Sequence, residues 1–207
     1  MLFSPGLYLP LGKKPAVAGG GGATSWNPSD TTANLVLSSS NRVATATGGN
    51  QGARSIASVV ANQKVYMEYV PTVDSNNQQY GFALATHDLT HILGGDEGTV
   101  KSFGVTFGGT YADAGSVDDG AAMPSYAPGD RVGIAYDDGA KKLWSRVNGG
   151  AWSNSGDPAA GTGGRAVSVS GTLFACAWIQ FNTEITTARF ASTDWVDAAP
   201  SGYTQLA

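Results

Sequence analysis

Residues 129–152 read GDRVGIAYDDGAKKLWSRVNGGAW, and this stretch decides the fold class because it predicts two short strands joined by a turn. Large apolar and small residues alternate from Val132 to Tyr136, which is the two-residue period of a β-strand. Asp137-Asp138-Gly139 supplies turn residues, and the period then returns from Lys142 to Asn148. An isolated hairpin cannot bury its apolar face in water, so the rest of the chain must provide more sheet.

The composition favours one domain with few charged residues and argues against several functions. The 207 residues can bury a sizeable core, and charged residues make up only 14% of them, against roughly 25% in an average soluble domain. The net charge is −4, and no basic stripe interleaved with aromatic residues is present, so we expect no nucleic-acid binding. No apolar run approaches the roughly 20 residues that span a bilayer, so we expect no membrane insertion. The one cysteine, Cys176, lies in an apolar run and is expected to be a small buried thiol.

Residues 1–23 differ from the rest of the chain and predict an extended N-terminal arm. They combine three prolines with interrupted apolar residues and end in the hinge Gly19–Gly22. Apolar side chains on such an arm are typical of a docking surface, although the arm could instead fold back onto its own domain. The expected anchoring residues are Leu2, Phe3, Leu7, Tyr8 and Leu9. We therefore divide the chain into an anchoring arm with its hinge, 1–23, and a folded domain, 24–207.

Short alternating segments recur between turn signals from Trp26 onward, and each predicts a strand. These segments are 34–37, 42–47, 65–70, 80–85, 102–107, 131–136, 142–148, 172–181 and 186–190. One short helix is predicted at 88–93, with Asp88 as its cap and Gly94-Gly95 as its end. Many short strands with glycine-rich turns predict an all-β fold, an antiparallel two-sheet β-sandwich.

The order of several short motifs resembles the SPRY domain in the form met in phage and prophage proteins. The motifs are Trp26-Asn27-Pro28-Ser29-Asp30, Arg54, Tyr66-Met67-Glu68, Leu93-Gly94-Gly95-Asp96, Gly104–Tyr111, Asn148–Trp152, Gly156–Gly164 and Pro200-Ser201-Gly202-Tyr203. The resemblance covers about Trp26 to Leu206 and leaves the arm outside. Ser145 departs from the pattern, which usually has an aromatic residue at that place.

The resemblance implies a bent, concanavalin-like jelly roll that binds partners through its loops and performs no catalysis. In phage such domains sit on head or tail structural proteins. The implied location is therefore the virion, with other virion proteins contacting the arm and with a homo-oligomer or several copies in an assembly. The alternative function is an adhesin, a receptor-binding module that recognises a host surface glycan or protein through its loops.

The acidic residues give little support to a sugar hydrolase. Such an enzyme needs two carboxylates facing each other across a cleft, and the glutamates are only Glu68, Glu97 and Glu184. None of them has a second acidic residue two or four positions along a strand, the spacing that places both on one face. We therefore expect no enzymatic activity. Glu68 is expected to form a structural ion pair with Arg54 on a neighbouring strand.

Metal binding is also not expected, and neither is a cofactor. His87 and His91 are spaced four residues apart, as zinc ligands on a helix can be, but no cysteine is near them, and Asp88 or Asp96 would have to complete the site. Asp137-Asp138 could suggest calcium, but turn formation explains the pair.

Binding is expected at loop tips, the usual location on a sandwich scaffold. The candidate segments are 86–98 and 110–123, together with the end of the hairpin. The candidate binding residues are Tyr111, Asp113, Asp118, Trp152, His87 and His91. Tyrosine and tryptophan can stack on sugars or peptides, and aspartate can accept hydrogen bonds from hydroxyls. Trp152 is also explained as a residue at the edge of the core.

Overall fold

The computed structural model describes residues 22–73, 77–95, 100–113, 116–118 and 123–207, which form two packed antiparallel sheets. In chain order the strands are β1 (Trp26–Thr31), β2 (Leu35–Ser38), β3 (Val43–Ala46), β4 (Gln51–Ser58), β5 (Lys64–Val73), β6 (Gln79–Leu84), β7 (Ser102–Thr106), β8 (Tyr111–Asp113), β9 (Ser116–Asp118), β10 (Val132–Asp137), β11 (Lys142–Val147), β12 (Arg165–Ala166), β13 (Leu173–Ile179) and β14 (Ile185–Arg189). A single 3-10 turn, Ser153–Ser155, follows β11. The predicted all-β two-sheet sandwich is confirmed. The arm residues 1–21 lie outside the described residues.

Each sheet has seven strands, and neighbours in sequence are often not neighbours in space. The first sheet has the order β1-β4-β13-β6-β7-β8-β9, and the second has the order β12-β11-β10-β5-β14-β3-β2. β13 in the first sheet and β5, the central strand of the second sheet, are therefore bordered by strands that are distant from them in the chain.

The hairpin that the sequence predicts is formed by β10 and β11. Val132 pairs with Val147, and Asp137 pairs with Lys142. The turn therefore begins one residue later than the sequence pattern suggests, because Asp137 still belongs to the ladder. Asp137 also accepts a hydrogen bond from the backbone N–H of Ala140 at 3.0 Å, which is the role expected of a turn aspartate.

Aromatic side chains fill much of the space between the sheets. Tyr69 and Tyr80 stack with ring centroids 4.5 Å apart, and Trp26 meets Phe190 edge to face at 5.0 Å. All four side chains are almost completely buried. Packing of this kind joins β1, β5, β6 and the end of β14 into one core.

The segment 85–95 covers the outer face of the first sheet. Leu89 lies directly over Gly52, where an added Cβ would be 2.6 Å from the Leu89 carbonyl oxygen, and Leu93 packs on Gly104. Cys176 and Trp178 are buried beneath this segment. Cys176 is fully buried, so the expectation of a buried thiol is confirmed, and this burial raises the pKa of the thiol to about 12.

The helix predicted at 88–93 is wrong, because these residues form turns. Asp88 Oδ1 accepts hydrogen bonds from the backbone N–H of Thr90 at 2.9 Å and from its hydroxyl at 2.8 Å. Such a local side-chain bond offers the backbone an alternative to a helical turn. The aspartate that the sequence analysis assigned as a helix cap instead closes a compact turn.

Residues 195–203 cover the outer face of the second sheet. Tyr203 and the half-buried Trp195 pack against Tyr66 and Trp144 there. The backbone N–H of Tyr66 also donates to the Thr204 carbonyl oxygen at 2.9 Å. The chain therefore ends as a strap bound to the sheet by both apolar and backbone contacts.

The predicted ion pair between Arg54 and Glu68 is wrong. Arg54 lies on β4 in the first sheet and Glu68 on β5 in the second, so the two strands are not neighbours. Arg54 pairs instead with Asp30, and Glu68 pairs with Arg189. Both charges are buried and paired, as expected, but with partners that are distant in the sequence.

Candidate functional site

A cleft of about 220 Å³ opens at one end of the first sheet, beside the segment 85–95. Three separate parts of the chain form its walls: the turn between β3 and β4, the segment 85–95, and the end of β13. Its lining residues are Asn50, Thr90, His91, Ile92, Trp178 and Gln180. The cleft is thus a product of the tertiary fold.

Hydrogen bonds join the three walls to one another. Asn50 donates from its backbone N–H to the Gln180 carbonyl oxygen at 2.8 Å. The Trp178 indole N–H donates to the Thr90 carbonyl oxygen at 3.4 Å, and Asn77 donates from its side-chain amide to Gln180 Oε1. Asn50 has a φ of 54°, a left-handed conformation that asparagine tolerates better than most residues.

The segment that carries Thr90, His91 and Ile92 is fixed at both ends. Arg54 Nη1 donates to the carbonyl oxygens of Leu84 at 3.2 Å and His87 at 2.7 Å. At the other end, the backbone N–H of Leu93 donates to Gln79 Oε1 at 2.8 Å. The cleft is therefore preformed, which lowers the entropic cost of binding a ligand.

The cleft lining combines amide, hydroxyl and imidazole groups with an apolar wall. His91 is the one titratable residue among the described lining residues, and its Nδ1 lies 3.3 Å from Asp88 Oδ2. The backbone N–H and hydroxyl of Thr90, together with His91, lower the pKa of Asp88 below its usual value. The Asp88 carboxylate is thus engaged by its own turn. This arrangement suits the binding of uncharged groups through hydrogen bonds.

The structure separates the two histidines that the sequence analysis considered together. His91 is exposed and lines the cleft, whereas His87 is buried under the segment. The His87 carbonyl is one of the two that Arg54 holds. Among the described residues, no three His, Cys, Asp or Glu side chains are gathered in a metal-binding arrangement.

Tyr111 is not a surface binding residue, so this candidate is corrected. It is only 1% exposed, and its hydroxyl lies 3.0 Å from Ser145 Oγ and also hydrogen-bonds Ser153. Burial raises the Tyr111 pKa, although the two serines oppose this shift. The small Ser145, which departs from the family pattern, is thus the hydrogen-bond partner of a buried tyrosine from the other sheet.

Asp113 and Trp152 do not line the cleft. Asp113 accepts hydrogen bonds from the Ser168 backbone N–H at 3.0 Å and its hydroxyl at 3.1 Å, which ties β8 to the segment before β13. Trp152 is half-buried, with the Arg146 guanidinium 4.3 Å from its ring centroid. Asp118 lies on β9, opposite Tyr111 in the backbone register. Residues 114–115 and 119–122 of the candidate segment 110–123 lie outside the described residues, as do residues 96–98 of the candidate segment 86–98.

Sequence reasoning missed Asn50, Trp178 and Gln180. Asn50 is an ordinary turn residue, and both Trp178 and Gln180 lie in the segment 172–181, which predicts a strand. The interpretation of 86–98 as a recognition loop did include Thr90 and Ile92. A pattern in the sequence does not show that these segments meet, because β13 pairs with β4 and β6 at a large sequence separation.

The N-terminal entry to the sandwich lies at the other end of β4 from the cleft. Thr24 Oγ1 accepts a hydrogen bond from the Ala57 backbone N–H at 2.9 Å, near the end of β4. Thr24 also donates from its backbone N–H to the Leu206 carbonyl oxygen at 3.1 Å. Asn50 immediately precedes the start of β4, so the two points are about 20 Å apart at about 3.3 Å per strand residue.

Comparison with solved structures places this architecture among SPRY-like sandwiches. The SPRY domain of human HERC1 superposes with a TM-score of 0.63 at 13% identity, covering 80% of this chain and 97% of that one. Stonustoxin gives a TM-score of 0.58 at 14% identity, covering 80% of this chain and 27% of that one. The PSpry domain of TRIM65 gives 0.56 at 11% identity, covering 80% and 91%.

The chain therefore has a SPRY-like fold, and at these identities the likeness establishes the fold alone. No protein-family model matches the sequence, and no curated protein matches it either. Within the described residues, no helix has the length and apolar character needed to cross a membrane.

Proposed function

We propose that this protein is a non-enzymatic structural protein of a phage virion, a head or tail appendage, decoration or fibre component. Its N-terminal arm anchors it, and its SPRY-like domain is displayed for binding. The observation that supports this proposal is the separation of the two ends of the sandwich along β4. The arm joins the domain beside Ala57 and Leu206, whereas the cleft opens beside Asn50. A domain that is anchored at the end where the arm enters presents the end with the cleft away from the particle.

The carboxylates of Glu68 and Asp30 are occupied by structural hydrogen bonds, which supports a binding role over a hydrolytic one. Glu68 is fully buried and accepts hydrogen bonds from Arg189, from Tyr66 and from two backbone N–H groups. Asp30 accepts hydrogen bonds from both Nε and Nη2 of the Arg54 guanidinium. Each of these carboxylates has a structural role that accounts for its position.

The experiment that tests anchoring removes residues 1–22. The full-length and truncated chains are supplied in trans during assembly of particles that lack their own copy, and the purified particles are probed for each chain. We expect the full-length chain in the particles and the truncated chain in the unassembled fraction, with unchanged circular dichroism and urea unfolding. Normal incorporation of the truncated chain would refute the anchoring role.

The second candidate function is an adhesin that recognises a host surface glycan or protein. The preformed cleft at the outward end favours it. Purified full-length chain should compete with particles for attachment to host cells, and the double variant His91→Ala, Gln180→Ala should compete less well. Equal competition by the variant would remove the cleft from host attachment and leave the structural role standing.

A further inference from the structure

We infer that the cleft lined by Asn50, His91 and Gln180 binds a single uncharged sugar ring, such as the terminal residue of a neutral glycan. This inference rests on the binding role proposed above and specifies the ligand class of the same site. Its support comes from the size of the cleft, from its charge and from its hydrogen-bonding groups.

The size of the cleft restricts its occupant to one small unit. At about 220 Å³ it lies below the roughly 300–1,000 Å³ of pockets that enclose a drug-sized ligand. A stable protein partner would cover about 800 Å² of this chain's surface, which is far more than the cleft offers. The occupant is therefore one ring or one side chain that projects from a larger molecule.

The charge of the cleft favours a neutral occupant. His91 is the one titratable residue that the described part of the chain contributes to the lining, and it already faces the Asp88 carboxylate. That carboxylate also accepts two hydrogen bonds from Thr90. Among the described lining residues, a carboxylate, phosphate or sulfate ligand would find no arginine or lysine, and a cationic ligand would find no carboxylate.

The hydrogen-bonding groups match hydroxyls. The side chain of Asn50 is exposed and carries both a donor NH₂ and an acceptor oxygen. Gln180 uses its Oε1 to accept from Asn77, which leaves its NH₂ group to donate to a ligand. Hydroxyls both donate and accept, so several of them on one ring can pair with these amides at once.

An apolar wall complements the amides. Ile92 is half-buried, and Trp178, which is only 4% exposed, also lines the cleft. A sugar ring has carbon-bound hydrogens beside its hydroxyls, so it can contact the apolar wall and the amides together. An aliphatic peptide side chain would fill the same space but leave the amides without partners, at a cost in affinity.

The test uses NMR spectroscopy of the full chain with the ¹⁵N-labelled indole groups as the readout. The Trp178 indole N–H is bonded across the cleft wall to Thr90, and its signal is assigned by its loss in Trp178→Phe. The probes are methyl β-glucoside, methyl β-galactoside, methyl α-mannoside and N-acetylglucosamine. N-acetylneuraminic acid and glucuronic acid serve as charged probes, and N-acetyl-leucine amide represents a peptide side chain. We expect a saturable shift of the Trp178 signal with at least one neutral sugar.

Two variants locate the binding site. Asn50→Gly removes the amide but keeps the left-handed backbone, and Gln180→Ala removes the donor, so each should weaken binding about two- to tenfold. Asn62→Gly is the matched control, because Asn62 is also exposed and has a φ of 62°, but it lies in the turn between β4 and β5. Its affinity should equal that of the unchanged protein.

The outcomes separate this inference from the proposed function. The sugar assignment would be overturned if none of the neutral sugars shifted the Trp178 signal, or if the charged sugars or the leucine amide shifted it more strongly. Equal binding of a neutral sugar by all three variants would also overturn it. The virion role is tested by whether the chain lacking residues 1–22 fails to enter particles, so that result does not depend on sugar binding.

Discussion

Arg54 and Asp30 form a bidentate ion pair on the outer side of the first sheet, with Nε–Oδ2 and Nη2–Oδ1 distances that are both 2.7 Å. The remaining nitrogen, Nη1, donates to the carbonyl oxygens of Leu84 and His87. One guanidinium therefore links β1 and β4 to the start of the segment that forms a wall of the cleft. Arg54 itself is only 5% exposed.

Substitution Arg54→Met should lower the free energy of unfolding by about 3 kcal/mol, because Asp30 and two carbonyls lose a largely buried donor. Arg42→Met is the control, since Arg42 pairs with Asp194 at the surface, where its side chain is 42% exposed. That change should cost less than about 1 kcal/mol. Urea unfolding of both variants measures the difference, and similar losses would contradict the structural role of Arg54.

Glu68 holds the C-terminal strap on the second sheet. Its Oε2 accepts from Arg189 Nη1 at 3.2 Å and from the Val196 backbone N–H at 3.1 Å, and its Oε1 accepts from the Asp197 backbone N–H at 2.8 Å. The carboxylate is fully buried. The hydroxyl of Tyr66 supplies a fourth donor, at 3.1 Å from Oε1. The bonds to Val196 and Asp197 fix the path of the chain beyond β14.

Substitution Glu68→Gln should cost about 2–4 kcal/mol, since the new NH₂ group must face existing donors inside the protein. The strap should also open more often, so trypsin should cleave after Arg189 faster in the variant. Asp157→Asn is the control, because its exposed Oδ1 accepts from backbone N–H groups that an asparagine can also satisfy. If trypsin cleaved Glu68→Gln and the control at the same rate, Glu68 would not hold the strap.

The sequence predicts the strands that alternate and misses those that do not. β10 and β5 carry large apolar residues at every second position, and both were identifiable. β4 reads QGARSIAS, with small residues facing the core and Gly52 beneath Leu89, so its hydrophobic period is weak. β1 contains Pro28, which is unfavourable in a strand interior and is tolerated at the edge of the sheet.

The site is less predictable than the fold because its residues are brought together by tertiary contacts. Asn50, Thr90 and Gln180 belong to three turns that carry no shared motif. Tyr111 was misassigned for the same reason, since its hydroxyl is enclosed by Ser145 on β11 of the opposite sheet and by Ser153 in the turn that follows β11. A loop pattern shows that a residue is near a turn but not which way its side chain packs.

Two glycines in one loop separate backbone strain from steric clash. Gly161 and Gly164 have nearly the same φ, 71° and 73°. A Cβ on Gly161 would meet nothing within 4 Å, whereas a Cβ on Gly164 would lie 2.4 Å from Cε2 of the fully buried Trp144. Trp144 cannot easily move, because its indole N–H donates to the Thr162 carbonyl oxygen at 2.9 Å.

Substitution Gly161→Ala should cost about 1 kcal/mol, the penalty for a left-handed backbone. Gly164→Ala should cost an additional 1–3 kcal/mol or so through overpacking against Trp144. Urea unfolding of the two variants, with tryptophan fluorescence as the probe, measures both effects. Equal losses would mean that Trp144 yields to the added methyl group.

Alkaline pH should unfold the protein through its buried tyrosines. Burial raises the pKa of Tyr69 well above its usual 10.0, and the nearby Cys176 and Tyr80 add to the shift. A pKa that is raised in the folded state means that the unfolded chain loses its proton first. The resulting stability is complete below about pH 10 and is lost as the pH rises above that value.

Each such tyrosine should steepen the fall in stability by at most about 1.4 kcal/mol per pH unit. Tyr69→Phe removes one titrating group and a hydrogen bond of 3.0 Å to Met67 Sδ, while keeping the ring that stacks on Tyr80. The variant should therefore show a shallower decline above about pH 10 than the unchanged protein, with similar stability near neutral pH. Urea unfolding at a series of pH values measures both slopes. Parallel profiles would show that Tyr69 ionises equally readily in the folded and unfolded chain.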